Sequence, residues 1–448
     1  MDNKLSTLLD RTLDPDYGII RYIKEIPLMP EEPDIFITIA EFQDPFIVSP
    51  GAEKRLFTME RQSAGASLDR ISSIWSAIGE GIERFAGAVY DPESIAWAAS
   101  KDLHEDDFVD PNSFISFSKE QYDNPNIRYK RHDPNVAIGW TEAERLTDHK
   151  TVHFPASLAF FAYQHRHESE YLSDAYSTGL ACGPTREWAA CSGLYEAIER
   201  DAYSLHWAAE QSPKKIDLQQ AIDCADPDLK KMLLQIQSQE IELFLCDITN
   251  DIDVPVILVI AKIPNHPGIA LGASANLCVK TALKKAVVEC FHTFNWCLIM
   301  QQEDRIQQEV RKIKKEEIVM FTEHVRYYTQ NKKQERFAEF FWKTTERSTL
   351  LDGLSATSPS EALDHSQQLE ILISKLDKFG YTPYLIDITP DDVASLGLYV
   401  TKAVVPGLQP MWCGYGRVPL DRRRFEQFLK YKGRDQNIPI NEEIHPFP

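Results

Sequence analysis

One pattern occurs twice along the 448 residues. Ser76-Ala-Ile-Gly-Glu80-Gly-Ile-Glu83-Arg84 and Ser192-Gly-Leu-Tyr-Glu196-Ala-Ile-Glu199-Arg200 both read Ser-x3-Glu-x2-Glu-Arg, and their serines lie 116 positions apart (192 minus 76). At roughly 100° per helical residue, the serine and both glutamates fall within an arc of about 60°, with the arginine beside it. Each copy therefore aims a hydroxyl and two carboxylates one way, from a helix whose other faces carry apolar and small residues. Two such helices brought together present four carboxylates and two guanidinium groups to one cavity. That much negative charge needs cations in the site, and hard oxygen ligands suit Mg²⁺, which commonly brings polyphosphate with it. A single Glu/Arg face is ordinarily solvated surface worth about 0.3 kcal/mol. Repetition of all four polar positions favours the ligand reading.

Bulk properties narrow the class. The hydrophobic and charged fractions, 43% and 26%, are those of a globular protein, and the length allows two or three structural units. A net charge of −20 argues against wrapping a nucleic-acid backbone. Basic clusters at Arg311 to Lys315 and Arg422 to Arg424 read as solvated helix faces. No apolar stretch follows the start, and the longest apolar run, Val254 to Ala261, is too short for a membrane span and reads as a buried strand. Eight cysteines without CxxC pairs support neither a zinc site nor a disulfide framework, so reduced thiols in a cytoplasmic protein are expected.

The pattern of elements predicts an α+β fold. Helices are expected over about 68–88 and 185–209, carrying the two motifs, and over about 279–302 and 360–379. Strands are expected at 35–40, 241–247, 254–262, 268–274, 383–388 and 399–405, with mixed charged helices over 305–343. Residues 91–171 read as loops with short apolar pieces. Gly65-Ala-Ser67 and Ser177 to Pro184 read as turns, and 348–359 as an exposed loop. Phosphate-loop, dinucleotide, kinase, serine-hydrolase and HExxH signatures are all missing, so any ATP site must be built another way.

Together, the doubled ExxER, the run Ser177-Thr-Gly-Leu-Ala-Cys-Gly-Pro-Thr185, Glu199-Arg-Asp-Ala202 with Trp207, and Val405-Pro-Gly-Leu-Gln-Pro410 resemble the YcaO family. The similarity is greatest to its azoline-forming cyclodehydratases of ribosomal peptide biosynthesis, and His445-Pro-Phe-Pro448 is similar to the proline-rich tail of that branch. The resemblance covers 61–448 as one YcaO-like domain, with 1–60 as an N-terminal extension. It implies an ATP- and Mg²⁺-dependent enzyme in which a Cys, Ser or Thr side chain attacks the preceding amide of a precursor peptide. The amide oxygen is phosphorylated, and its loss leaves a thiazoline or oxazoline. Carried over by position, Glu80, Glu83, Glu196 and Glu199 hold metal. Arg84 and Arg200 contact phosphate or orient the glutamates, with Ser76, Glu289 and His292 around the nucleotide and Pro446 and Pro448 assisting catalysis. Ser192 is equally suited to bonding its own helix backbone. The sequence departs from the family at Trp188, at Ala66 and at His292, where relatives often carry Glu, Lys and Gln. The implied partners are the precursor peptide, a separate ubiquitin-activating-enzyme-like protein that grips its leader, and an FMN-dependent azoline dehydrogenase acting afterwards. Neither nucleic acid nor membrane is expected, and a homodimer is left open. Two rivals stand beside this reading: thioamide or amidine formation on the same fold, and a scaffold subunit without chemistry.

Overall fold

The structure, a computed structural model, describes residues 3–30, 32–45, 61–124, 127–262, 268–306, 312–354 and 362–448. Its strands form three sheets, and every named strand pair is antiparallel. The first runs β1 (Ile20–Glu25), β2 (Phe36–Phe42), β3 (Gln62–Ser67). The second is ordered β11-β10-β9-β8, from Ala270–Ala275, Val256–Lys262, Glu242–Asp247 and Lys214–Ile216. The third is ordered β4 (Ala96–Ala99), β5 (Ala137–Arg145), β12 (Tyr384–Asp387), β13 (Tyr399–Val404), β7 (Leu180–Gly183), with β6 (Lys150–Pro155) also paired to β5. The longer helices are α1 (Asn3–Thr12), α2 (Arg70–Ala86), α3 (Arg186–Ala208), α4 (Pro227–Ser238), α5 (Val279–Ile306), α6 (Phe321–Thr329), α7 (His365–Lys378) and α8 (Arg423–Tyr431). Mixed α+β architecture is thus the observed class. Among the described residues, no helix is long and apolar enough to cross a membrane.

Alternation explains the middle sheet. Val256, Leu258 and Ile260 of β10 belong to one core, under α3, while Ile257, Val259 and Ala261 belong to another, under α4 and α5. A strand buried on both faces has no polar positions to show, hence the unbroken apolar run in the sequence. The helix α2 lies between the first and third sheets, with Ala77, Ile78, Ile82 and Phe85 packed against Ile20, Ala40, Phe42 and Val400. Leu5 and Leu8 of α1 join the same core. Asp69 caps α2 by accepting from Ser72 N, and Thr185 caps α3 by accepting from Trp188 N.

Several expectations need correction. Residues 91–171 hold the strands β4, β5 and β6, and Leu180–Gly183 is the strand β7 rather than part of a turn. Gly65-Ala-Ser67 lies within β3. Small residues favour strands poorly, and here they occur because a helix presses on the strand. A Cβ on Gly65 would sit 2.2 Å from Ser73 O of α2, and one on Gly272 of β11 would sit 2.1 Å from Cys290 N of α5. Arg424 is also not a solvated face. It is fully buried, bonding Asp201 and Asp251, whereas Arg422 and Arg423 stay near the surface. In the other basic cluster Lys315 pairs with Glu443 at 3.2 Å, while Arg311 lies outside the described residues. So do 46–60 of the expected extension, 355–359 of the expected loop and Ser360. All eight cysteines are free thiols.

Candidate functional site

Three glutamates are tied down in one way. Ala64 N–H of β3 donates to Glu80 Oε2 of α2 at 2.9 Å, and Gly179 N–H, just before β7, donates to Glu196 Oε2 of α3 at 2.9 Å. The third is Ala273 N–H of β11, which donates to Glu289 Oε2 of α5 at 3.1 Å. Donor and acceptor are 16, 17 and 16 residues apart, so the motif is a strand followed by a helix, used three times. Each bond fixes one carboxylate oxygen and leaves the other free. The free oxygens of Glu80 and Glu196 accept from Arg84 at 3.1 Å and Arg200 at 3.4 Å, four residues on in each helix.

The three glutamates, Arg84 and Arg200 line one cavity of about 1650 Å³, together with Glu83, Glu199, His292, Ser76, Ser192, Lys285 and Pro448. The two ExxER helices do converge. Burial pushes the Glu83 carboxyl well above its usual range, Arg84 opposes, and Glu196 on the other helix raises it further. Burial also lifts Glu199, against Arg200, with Glu289 and Glu196 adding to the rise. Glu289 itself is held near 7 by burial against Arg200 and the Ala273 amide. Lys285 is lowered by burial and supported by Glu199 and Glu289. His292 is lowered by burial and sits in the field of Glu80.

Glu83 and Glu199 find little compensation within the chain itself. Glu83 accepts no hydrogen bond among the described residues, and the nearest cation to Glu199 is Arg200 Nη1 at 3.6 Å, an atom without a hydrogen-bond partner of its own. Among the described residues no hydrogen bond is made by the hydroxyls of Ser76 and Ser192, and both serines line the cavity. Among the described residues no three His, Cys, Asp or Glu side chains are close enough to hold a metal ion by themselves. Carboxylates from three helices lining one cavity with two arginines fit Mg²⁺ shared with phosphates, since this ion keeps several waters and takes one or two carboxylates plus phosphate oxygens. The residues present therefore fit Mg²⁺ with a nucleotide.

The segment 444–448 packs beside the cavity. Ile444, His445, Pro446 and Phe447 are buried, Pro448 lines the cavity, and the Arg200 guanidinium lies 4.5 Å from the Phe447 ring centre. Tyr328 Oη donates to Ile444 O at 2.7 Å, and His445 Nε2 lies 2.8 Å from Trp412 O. His324 Nε2 accepts from Gly414 N at 2.9 Å, which leaves Nδ1 as the donor to His445 O, also 2.9 Å away. His324 is thus a neutral imidazole, and burial holds it near 4. In the unfolded chain it protonates below about 6.5, so stability is complete above that pH and declines as pH falls towards 4, by on the order of 3 kcal/mol. Thermal unfolding between pH 7.5 and 4.5 should show a smaller acid-side loss in His324→Gln than in the wild type; equal slopes would contradict it.

A sequence profile for the YcaO cyclodehydratases, described as ATP- and Mg²⁺-binding, matches residues 64–409. The chain belongs to the YcaO family. This YcaO chain is accordingly an enzyme of an ATP- and Mg²⁺-dependent cyclodehydratase family, and its cofactors are ATP and Mg²⁺. Solved structures share the fold. A heterocyclase in complex with substrate and cofactor superposes with a TM-score of 0.78 at 21% identity, covering 99% of this chain and 57% of that one. The YcaO chain therefore spans a little over half of that protein. YcaO from Methanopyrus kandleri, bound with AMPPCP and Mg²⁺, gives 0.59 at 18% identity over 87% and 86% of the two chains. A chain of the E. coli microcin synthetase McbBCD complex gives 0.60 at 15% identity over 88% and 90%.

Every residue singled out as a site candidate lies in or beside the same cavity, Pro446 being buried just behind Pro448. So do the three departures, since Ala66, Trp188 and His292 all line it. What sequence reasoning missed is Lys285 and the buried anchor behind α3. Asp201 accepts from Arg424 Nε at 2.9 Å and from Gln409 N at 2.7 Å, holding the Val405–Pro410 segment against the second motif. The run Glu199-Arg-Asp-Ala202 carried that signal, with Asp201 pointing away from the carboxylate face.

Proposed function

We propose that this chain forms azolines in a ribosomal precursor peptide. A Cys, Ser or Thr side chain attacks the carbonyl carbon of the preceding amide and loses its proton. The former carbonyl oxygen departs as phosphate while the amide nitrogen gives up its hydrogen and becomes the C=N nitrogen. The peptide loses one water per ring, and ATP becomes ADP and phosphate. Bound MgATP supplies the phosphoryl group that makes the amide oxygen a leaving group.

In this reading Glu80, Glu83, Glu196 and Glu199 would hold Mg²⁺, with Glu289 beside the nucleotide in the same cavity. Arg84 and Arg200 neutralise phosphate and orient the glutamates, with Ser76 and His292 as polar neighbours in the cavity. Pro446 and Pro448 order the tail beside the cavity, where φ-restricted residues need little further ordering. The observation that carries the reading is the convergence of both ExxER helices on one cavity, each with a glutamate pinned by a backbone amide. A leader-binding partner of the ubiquitin-activating-enzyme type belongs to this reading, and the fold shared with a chain of the multi-protein McbBCD synthetase supports it. An FMN-dependent dehydrogenase would then oxidise azolines to azoles.

Mass spectrometry of a Cys/Ser/Thr-rich precursor with its partner, ATP and Mg²⁺ should show loss of one water per ring with matching ADP release. Exchange of oxygen for sulphur would transfer the reading to thioamide chemistry, and no change at all would leave a scaffold. Deleting 444–448 removes Ile444 and Phe447 from the core and disturbs folding, so Pro448 is the cleaner probe. Pro448→Gly should lower ring formation roughly tenfold or more with AMPPCP affinity unchanged; undiminished turnover would refute a catalytic tail.

A further inference from the structure

A second cavity, of about 140 Å³, meets the first at Arg200, which lines both. Its wall is mainly apolar, with Phe114, Ile115, Leu158, Leu172 and Leu408. Two of the charges in that wall, Lys402 and Asp174, are already engaged. Lys402 Nζ donates to Leu158 O at 2.8 Å and Tyr176 O at 2.9 Å, and Asp174 is held by Tyr129 and by Arg128 at 2.6 Å. Among the described residues several polar groups on that wall have atoms without a hydrogen bond, His132 Nδ1 and Arg200 Nη1 among them, and Gln409 is a further one. The side-chain amide of Gln409 lines this cavity, the residue is 4% exposed, and the amide has no hydrogen bond among the described residues. Its amide atoms are therefore open to a group in the cavity. Its position is nonetheless fixed, because Gln409 N–H is tied to Asp201, the residue after Arg200.

We infer that this second cavity takes the peptide beside the reacting residue. An uncharged, apolar side chain fills it, and the Gln409 amide pairs with the adjoining peptide group. The inference rests on the cyclodehydratase reading: if the acidic cavity holds the phosphoryl donor, the acceptor amide must reach the same guanidinium from a different side. A donor–acceptor amide matches a peptide group on both its atoms. The glutamate-rich wall beyond Arg200 repels acidic neighbours, so selectivity should favour apolar over acidic residues flanking the ring-forming position.

Placing p-benzoylphenylalanine next to the reacting Cys of a short precursor and irradiating it with the wild-type protein, AMPPCP and Mg²⁺ locates that side chain directly. Crosslinks should map to 111–116, 154–158, 172–178 or 402–410. Crosslinks elsewhere, or none, overturn the inference. In parallel, Gln409→Leu should raise the peptide KM about tenfold and leave the KM for MgATP unaltered; an unchanged peptide KM overturns the pairing role. Ring formation on the unlabelled peptide is scored separately. Crosslinks at the wrong place with rings still forming sink the pocket alone, whereas absent rings sink the reaction assigned to the chain.

Discussion

Glu196→Gln is expected to abolish ring formation, with kcat/KM for the peptide falling roughly 10²-fold or more and AMPPCP binding weakened about tenfold. The amide oxygen of glutamine can still accept from Gly179 N–H, so the side chain stays in place. What disappears is the charge on the unpinned atom facing Arg200 and the cavity. Glu80→Gln should behave alike, since its pinning by Ala64 and pairing with Arg84 are the same geometry. Folding should not suffer, because relieving one of five crowded acids removes repulsion. Turnover and binding equal to wild type in either variant would break the assignment of these carboxylates.

The largest effect on stability is expected at Arg424. Its guanidinium is fully buried, bonding Asp201 Oδ2 at 2.6 Å and Asp251 Oδ1 at 2.7 Å. Burial pushes the Asp201 carboxyl up, and Arg424 with the Gln409 amide pulls it back. Arg424→Leu strands two acids near the core and should cost about 3–5 kcal/mol. Replacing Arg424, Asp201 and Asp251 together by apolar residues of similar size should recover much of that loss, because no unpaired charge is left. Denaturant unfolding of the two variants decides it. A loss below about 1 kcal/mol in Arg424→Leu would mean the network is not coupled to folding.

Periodicity made the helices legible. A long apolar stripe such as Ile78, Ile82 and Phe85 leaves the opposite face to the motif, so α2 and α3 were readable within two residues at each end. The strand β10 was readable for the opposite reason, being apolar on both faces. The small-residue strands were not. Gly65-Ala-Ser67 and Leu180-Ala-Cys-Gly183 look like turns in isolation, and only the helix lying against each explains why larger side chains are absent. The third strand–helix unit was readable as a strand near 268–274 and a helix from 279, with Glu289 on it, but its likeness to the other two was not, because this helix lacks an ExxER pattern. Its sign in the sequence is the run Gly272-Ala-Ser274, a close match to Gly65-Ala-Ser67, each followed at similar distance by a pinned glutamate. The ion pairing of Arg424 was invisible because three adjacent arginines look alike in sequence, and the helix's turn alone decides which one points inward.

The most direct test is a crystal structure with AMPPCP and Mn²⁺ in place of Mg²⁺, with the metal located by its anomalous scattering. Manganese should lie about 2.1–2.3 Å from carboxylate oxygens drawn from both ExxER helices, with phosphate oxygens completing its shell. Metal and nucleotide bound away from Glu80, Glu83, Glu196 and Glu199, or held by one helix alone, would contradict the account.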